Sequence, residues 1–252
     1  MSMRIGMVVP TLGERPDLLD ECLDSLRRQA GVEQDLVIVT VESAVARLSE
    51  RYDLPVIAQE GRGLAAAITT GFRHFGDRVD ALAWLGDDDR LPAGSLATAL
   101  TALADRPDCS MVYGQTRWID DAGEQLSVLR PGRAGRLLIK LGHNLILQPG
   151  CVYRRSAIEA IGGIDPGFPL AFDVDLHRRL IGHQRARYVP ELLGEAREHP
   201  GSLTVRHQQT SQAECEDCLV QQMPGWLRGS RPLWAPAARL AMRATAKVAL
   251  QR

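Results

Sequence analysis

Apolar and polar positions in the first half of the chain fall into blocks whose period changes. Residues 4–9 (Arg-Ile-Gly-Met-Val-Val) form an apolar run closed by Pro10, and Leu18, Leu19, Cys22, Leu23 and Leu26 then recur at helical spacing with charges between them. A strand, a loop and an amphipathic helix are predicted. The alternation continues with a strand over Leu36 to Val41, a helix over Ala44 to Tyr52, a short strand at Val56 to Ala58 and a helix over Leu64 to Phe75 after Gly61 and Gly63. Ala81 to Leu85 is a further strand, Ser95 to Ala104 a helix and Ser110 to Tyr113 another strand. Strands separated by helices of about ten residues imply parallel pairing, because parallel neighbours need a long return connection. The first 115 residues are therefore expected to form a Rossmann-like sheet flanked by helices, an α/β fold.

After Tyr113 the texture changes. Trp118 and Ile119 run into Asp120-Asp121-Ala122-Gly123, a hairpin turn, followed by a Gly- and Arg-rich stretch from Arg130 to Gly142 and an apolar strand at Cys151 to Tyr153. There is no internal repeat. The expected organisation is a catalytic domain over 1–210, with 1–115 as a nucleotide-binding half and 116–210 as an acceptor half, and a helical, basic tail over 211–252.

Composition narrows the setting. A chain of 252 residues, 45% hydrophobic and 24% charged, buries the core of one domain with an appendage. Its net charge of -1 provides no broad field for nucleic acid, so no such partner is expected. The charge is unevenly spread: from Pro224 to Arg252 there are six cations and no acid, leaving 24 basic against 31 acidic residues in 1–223. Five cysteines without a framework spacing point to a reducing compartment, and neither a signal peptide nor a membrane-spanning run is present, so a cytoplasmic location is expected.

The chemistry concentrates where Ala83-Trp84-Leu85-Gly86 runs into Asp87-Asp88-Asp89. Three adjacent carboxylates repel one another and need water or a cation, and in open α/β sheets the ligand crevice lies outside the carboxyl ends of the strands. Hard oxygen donors there suit Mg²⁺ or Mn²⁺, with phosphate oxygens completing the shell. The alternative is a solvated acidic turn that caps the following helix. The chain has no Gly-x-Gly-x-x-Gly after its first strand and no Walker-type loop, so a diphosphate would be held by metal rather than by a glycine cradle.

At this point the chain resembles family 2 glycosyltransferases, whose fold is called GT-A. The resemblance rests on an ordered series over about residues 5 to 210: Val9-Pro10-Thr11; Leu23, Ser25, Leu26 and Gln29; Gly61 to Gly71; Leu85 to Pro92; Tyr113-Gly114 with Ile119-Asp120 and Gly123; Gln148-Pro149-Gly150; Ile161 to Asp165; Phe172-Asp173-Val174-Asp175-Leu176 with Arg179; and Arg197-Glu198-His199-Pro200-Gly201. It implies an inverting, metal-assisted transfer of sugar from a nucleoside-diphosphate donor of UDP or dTDP type to an acceptor hydroxyl. Pro10, Thr11, Glu14, Arg15, Glu42, Gly63, Asp87 and Asp88 would then serve the donor, and Asp173 would be the catalytic base. Asp87, Asp89 and His199 would serve the metal. The metal motif reads either as Asp87-x-Asp89 or, with Gly86 standing where the family has its first Asp, as the pair Asp88 and Asp89. After the second strand, where the family often carries paired Asp for the nucleoside, this chain has Val39-Thr40-Val41-Glu42-Ser43.

Each role has a structural competitor. Asp173 could simply cap a helix, Asp175 could be a surface charge, and His199 could be a surface residue beside a turn. Arg154, Arg155 and Arg179 could bind phosphate or be ion-pair partners, while Cys215 and Cys218 could join His199 and His207 around zinc or be free thiols. In the tail, Trp226, Trp234 and the four-apart Arg239, Arg243 and Lys247 suit an anionic membrane surface, each cation contributing about 1 kcal/mol, or packing on the domain. A cell-surface or lipid-linked acceptor follows from the tail alone. Two rival classes remain: a nucleotidyltransferase, for which Thr11 to Arg15 is a poor phosphate loop, and a silent sugar-nucleotide or membrane scaffold.

Overall fold

The computed structural model describes residues 3–139, 144–199, 201, 208–221 and 250–251. The central strand β1 (Arg4–Pro10) is buried from Ile5 to Pro10, as a continuous apolar run should be when both its edges are paired. It runs parallel to β2 (Glu33–Thr40) on one side and to β4 (Ala81–Trp84) on the other, and β3 (Val56–Ala58) extends the parallel set beyond β2. Pro10 has no N–H to give, and Thr11 takes over with its amide donating to Val39 O at 3.0 Å.

Helices α1 (Pro16–Arg27), α2 (Glu42–Arg51) and α4 (Ser95–Ala104) cover one face, with α3 (Leu64–Phe75) on the other. The faces follow the pleat. Ile5, Met7 and Val9 point into the core shared with α1, whereas Val8 points into the core shared with α3. The two packing surfaces fit closely: a Cβ on Gly71 of α3 would collide with the side chain of Val8, so only glycine lets this helix lie against β1.

The strands read through Tyr113 run in one direction, as a mostly parallel sheet requires, but the last two of them are not neighbours. β7 (Cys151–Arg154) lies between β4 and β5 (Cys109–Ile119), antiparallel to both. Periodicity shows that a strand exists but not which neighbour claims its edge, and the late strand inserts there. β5 gives one edge to β8 (Arg185–Arg197) along its length, so β7 against Met111 to Tyr113 and β6 (Gln125–Leu129) against Thr116 to Ile119 share the other. The β5–β6 turn is the hairpin expected at Asp120 to Gly123, with Gly123 N donating to Asp120 O. A short helix α5 (Gly135–Leu138) follows β6, and β9 (Leu250–Gln251) pairs with β6.

Helices α6 (Arg155–Ala160) and α7 (Phe172–His183) join α3 on the second face, and α8 (Gln208–Gln221) packs on α7. The mixed sheet between two helical layers is the α/β architecture expected. The tryptophans and cations proposed to meet a membrane, from Trp226 to Lys247, lie outside the described residues, as does His207.

Candidate active site

The carboxyl end of β4 is closed by its own turn. Leu85 N donates to Val8 O, Asp89 N donates back to Gly86 O, and the chain then pairs with the end of β8 through reciprocal Arg90 and Glu195 backbone bonds of 3.0 and 2.9 Å. Gly86 matters here. A Cβ at that position would lie 2.9 Å from Asp88 Oδ1 and 3.0 Å from Asp89 Oδ2, so both carboxylates fold over bare backbone.

Every acid of the trio has a protein partner. Thr11 Oγ1 donates to Asp87 Oδ2 at 2.5 Å, and the Arg15 guanidinium bridges Asp87 Oδ1 at 3.1 Å and Asp88 Oδ2 at 3.2 Å. Asp89 Oδ1 accepts from Arg197 N at 2.9 Å. Burial, reinforced by Asp88, lifts the Asp89 carboxyl well above the ordinary range, and burial also lifts Asp87 against the pull of Thr11 and Arg15.

The pairs Asp87 with Thr11 and Arg15, and Asp88 with Arg15 and His199, thus bring together five side chains singled out in the sequence. Pro10 lies buried beneath them, and Glu14 is exposed in the same loop. Glu42 opens α2 after β2 and is exposed, while Gly63, at φ 86°, opens α3. Glu42 and Gly63 follow β2 and β3, which lie on the far side of β1 from the strand β4 that carries the acids.

His199 is 8% exposed and follows β8. Gly201 N donates to its Nδ1 at 3.0 Å, which places the ring proton on Nε2, and Nε2 donates to Asp88 Oδ2 at 2.9 Å. A ligand role would need Nε2 freed of that proton and the Gly201 amide released.

Arg197 enters the sequence series without a role, and the structure supplies one. Its side chain is fully buried: Nε donates to Asp88 O, Nη1 to Asp120 O and Asp121 O, and Nη2 to Glu21 Oε2 at 2.6 Å. It ties the acidic loop to the β5–β6 turn and to α1. Glu195 adds a second tie, taking Arg90 Nε at 2.8 Å and Arg117 Nη1 at 2.7 Å.

Asp173 is the second residue of α7. Phe172 beside it packs against Trp84, with ring centroids 5.8 Å apart, and Trp84 stacks on Tyr153 at 5.3 Å. Trp84 precedes Asp87 by three residues, so the start of α7 lies against the end of β4. Burial pushes the Asp173 carboxyl up to about 6, opposed by the amides of Val174 and Asp173 itself. Burial raises the thiols of Cys151 and Cys215, and the Asp173 charge adds to the rise.

The remaining alternatives resolve structurally. Asp175 is not a surface charge: it is 3% exposed and paired with Arg179 at 2.6 Å. Arg179 also donates to Ile161 O and Gly163 O, Arg154 to the carbonyls of Cys109, Leu103 and Arg106, and Arg155 to Val79 O and Glu159. All three arginines serve the fold. None of the five cysteines forms a disulfide, and among the described residues no three His, Cys, Asp or Glu side chains form a preformed metal cage. Also among those residues, no helix is long and apolar enough to cross a membrane.

The donor set nevertheless fits a hard divalent cation. It is all oxygen at the strand end, and two of its carboxyls are raised by burial and mutual repulsion, which a cation relieves.

The chain is similar to the mannosyltransferase PcManGT from Pyrobaculum calidifontis, solved with GDP-Man and Mn²⁺, at 21% identity and a TM-score of 0.61, covering 99% of this chain and 76% of that one. It is also similar to S. aureus TarS 1-349 solved with UDP, at 13% identity and a TM-score of 0.62 over 90% and 68% of the two chains. For the same protein solved with UDP-GlcNAc the TM-score is 0.59 over 79% and 60%. These likenesses establish the fold, GT-A. No curated protein matches the sequence. The family model described as Glycosyl transferase family 2 matches residues 7–162, more than half of the chain. The chain belongs to glycosyl transferase family 2.

Proposed function

We propose that the chain transfers a sugar from a nucleoside-diphosphate donor to an acceptor hydroxyl with inversion, with Asp173 as base and with Asp87 and Asp89 holding a Mg²⁺ or Mn²⁺ ion. The observation that carries this reading is the packing of Phe172 on Trp84, which sets the start of α7 against the strand end that bears the acids. A bound divalent cation would neutralise charge developing on the departing diphosphate. The protein's own part is positioning and proton transfer. Asp173, raised to about 6, is ionised at neutral pH yet basic enough to take the acceptor proton as it becomes acidic. Thr11 fixes the Asp87 carboxylate, and Arg197 fixes the loop behind Asp88 and Asp89. His199 would join the cation only in the other tautomer. Pro10, Glu14, Arg15, Glu42 and Gly63 belong to the donor side.

The solved neighbours carry guanine and uracil nucleotides, so the donor panel should span both. Nucleoside diphosphate release is measured over GDP-, UDP- and dTDP-sugars with and without Mn²⁺. Asp173→Asn is expected to bind donor and Mn²⁺ as the native chain does and to lose transfer; an active Asn variant would remove the assignment. A chain that binds nucleotide but releases none with any donor would instead be the scaffold. The basic segment 224–252 supports an acceptor at an anionic membrane, as in cell-surface polysaccharide or glycolipid synthesis. Unchanged liposome co-sedimentation on its deletion would exclude that role.

A further inference from the structure

We infer that Arg15 and the divalent cation compete for the Asp87 carboxylate: Arg15 closes the acidic loop over Asp87 and Asp88 when donor and cation are absent, and is released towards the donor's phosphates when they bind. This rests on the cation role proposed for Asp87 to Asp89.

The first ground is occupancy. One guanidinium reaches Asp87 Oδ1 at 3.1 Å and Asp88 Oδ2 at 3.2 Å, so a positive group already lies where those two oxygens converge. A hard divalent cation approaches carboxylate oxygens to about 2.1 Å, and its charge would repel a guanidinium held at the same atoms. The two cannot share Asp87 Oδ1.

The second ground is proton accounting at His199. Nε2 lies against both Asp88 Oδ2 and Arg15 Nη1 and serves only one of them in either tautomer; with Gly201 N donating to Nδ1, its proton goes to Asp88 Oδ2. In that tautomer the guanidinium is held by the two carboxylates and not by the ring.

The third ground is freedom of movement. The Arg15 side chain is 37% exposed, while the loop beneath it is pinned independently, by Arg47 donating to Gly13 O and Leu12 O and by Thr11 Oγ1 accepting from Gly13 N. The guanidinium can leave without unmaking the loop. A planar fork freed beside an incoming diphosphate finds two oxygens at its own spacing. Cation and nucleotide should consequently bind with positive coupling, because the cation displaces Arg15 and the nucleotide gives it a new partner.

The test uses Mn²⁺ titrations of the full chain read by the electron paramagnetic resonance of free Mn²⁺, alone and with GDP or UDP, on the native protein, Arg15→Gln and Arg15→Lys. Without nucleotide, Arg15→Gln is expected to bind Mn²⁺ roughly tenfold more tightly than the native chain, with Arg15→Lys between them. With nucleotide, the native affinity should rise by a larger factor than that of Arg15→Gln. The metal-free melting temperature of Arg15→Gln should fall and recover on adding Mn²⁺, so a folding defect is visible separately. Equal or weaker nucleotide-free affinity in Arg15→Gln overturns the competition while leaving the cation site standing. Absence of Mn²⁺ binding in every variant, with nucleotide present, overturns both.

Discussion

In the role proposed for it, Asp173 is a single side chain both costly to the fold and useful to the reaction. Its carboxyl is raised to about 6 by burial, so kcat/KM should rise with pH through about 6 and level off above it, as expected for a base that must be ionised. The linkage has the opposite sign for stability. A folded-state value above the unfolded one, about 3.9, means the native protein binds this proton more tightly than the unfolded chain, and its contribution is lost as pH rises from about 4 to about 6. Asp173→Asn should thus gain stability relative to the native chain more at pH 7.5 than at pH 4.5, measured by urea midpoints. Equal differences at the two pH values would show that the carboxyl is not buried. The identity of this residue was legible in the run Phe172 to Leu176 through family resemblance. Its raised pKa was not, because the thiols and rings around it come from β7, β4 and α8.

At the scale of elements, the bounds of α3 and α4 follow the periodicity read in the sequence to the residue. The insertion of β7 between β4 and β5 did not, since a four-residue apolar run carries no information on direction or neighbour. The role of Arg197 escaped for a related reason. Its partners are carbonyls of Asp88, 109 positions away, and of Asp120, 77 positions away, and a bond to a backbone leaves no trace in side-chain type. Truncation by Arg197→Ala strands those acceptors and Glu21, and should cost on the order of 3 kcal/mol in chemical denaturation. A loss below about 0.5 kcal/mol, the level of an ordinary surface change, would mean the clamp is ornamental. Gly86→Ala acts on the same loop from beneath. The added methyl meets Asp88 Oδ1 and Asp89 Oδ2, so Mn²⁺ affinity should drop with little change in melting temperature, and unchanged affinity would free the two carboxylates from this geometry.

Helix α8 extends the argument to α7. Glu214 Oε2 accepts the amides of Leu170 at 2.8 Å and Ala171 at 2.9 Å, just ahead of the helix that carries Asp173. These donors lie before the first turn, where no intrahelical acceptor exists. Glu214→Gln keeps the size but weakens a charge-assisted pair. It should lower kcat several-fold with KM for the donor unchanged, whereas a matching change in both would assign Glu214 to donor binding.

For the whole molecule, the sheet divides labour between its two cores. One, under α1, α2 and α4, fixes the loops after β1 and β2 on the donor side, and the other, under α3, α6, α7 and α8, fixes Asp173. The strand end of β4 is where they meet, through Trp84 in one core and Leu85 in the other. The architecture was legible because alternating periods dictate layers. The candidate site was legible in the acids and, by resemblance, in Arg15 and His199, whereas the bonds that join these two to Asp87 and Asp88 exist only in three dimensions. The most direct test of the account is an anomalous-scattering map from crystals grown with Mn²⁺ and a nucleoside diphosphate. The account predicts one Mn²⁺ peak in contact with carboxylate oxygens of Asp87 or Asp89 and with both phosphates, on the side facing Asp173. A nucleotide bound elsewhere, or Mn²⁺ seated away from the trio, would contradict it.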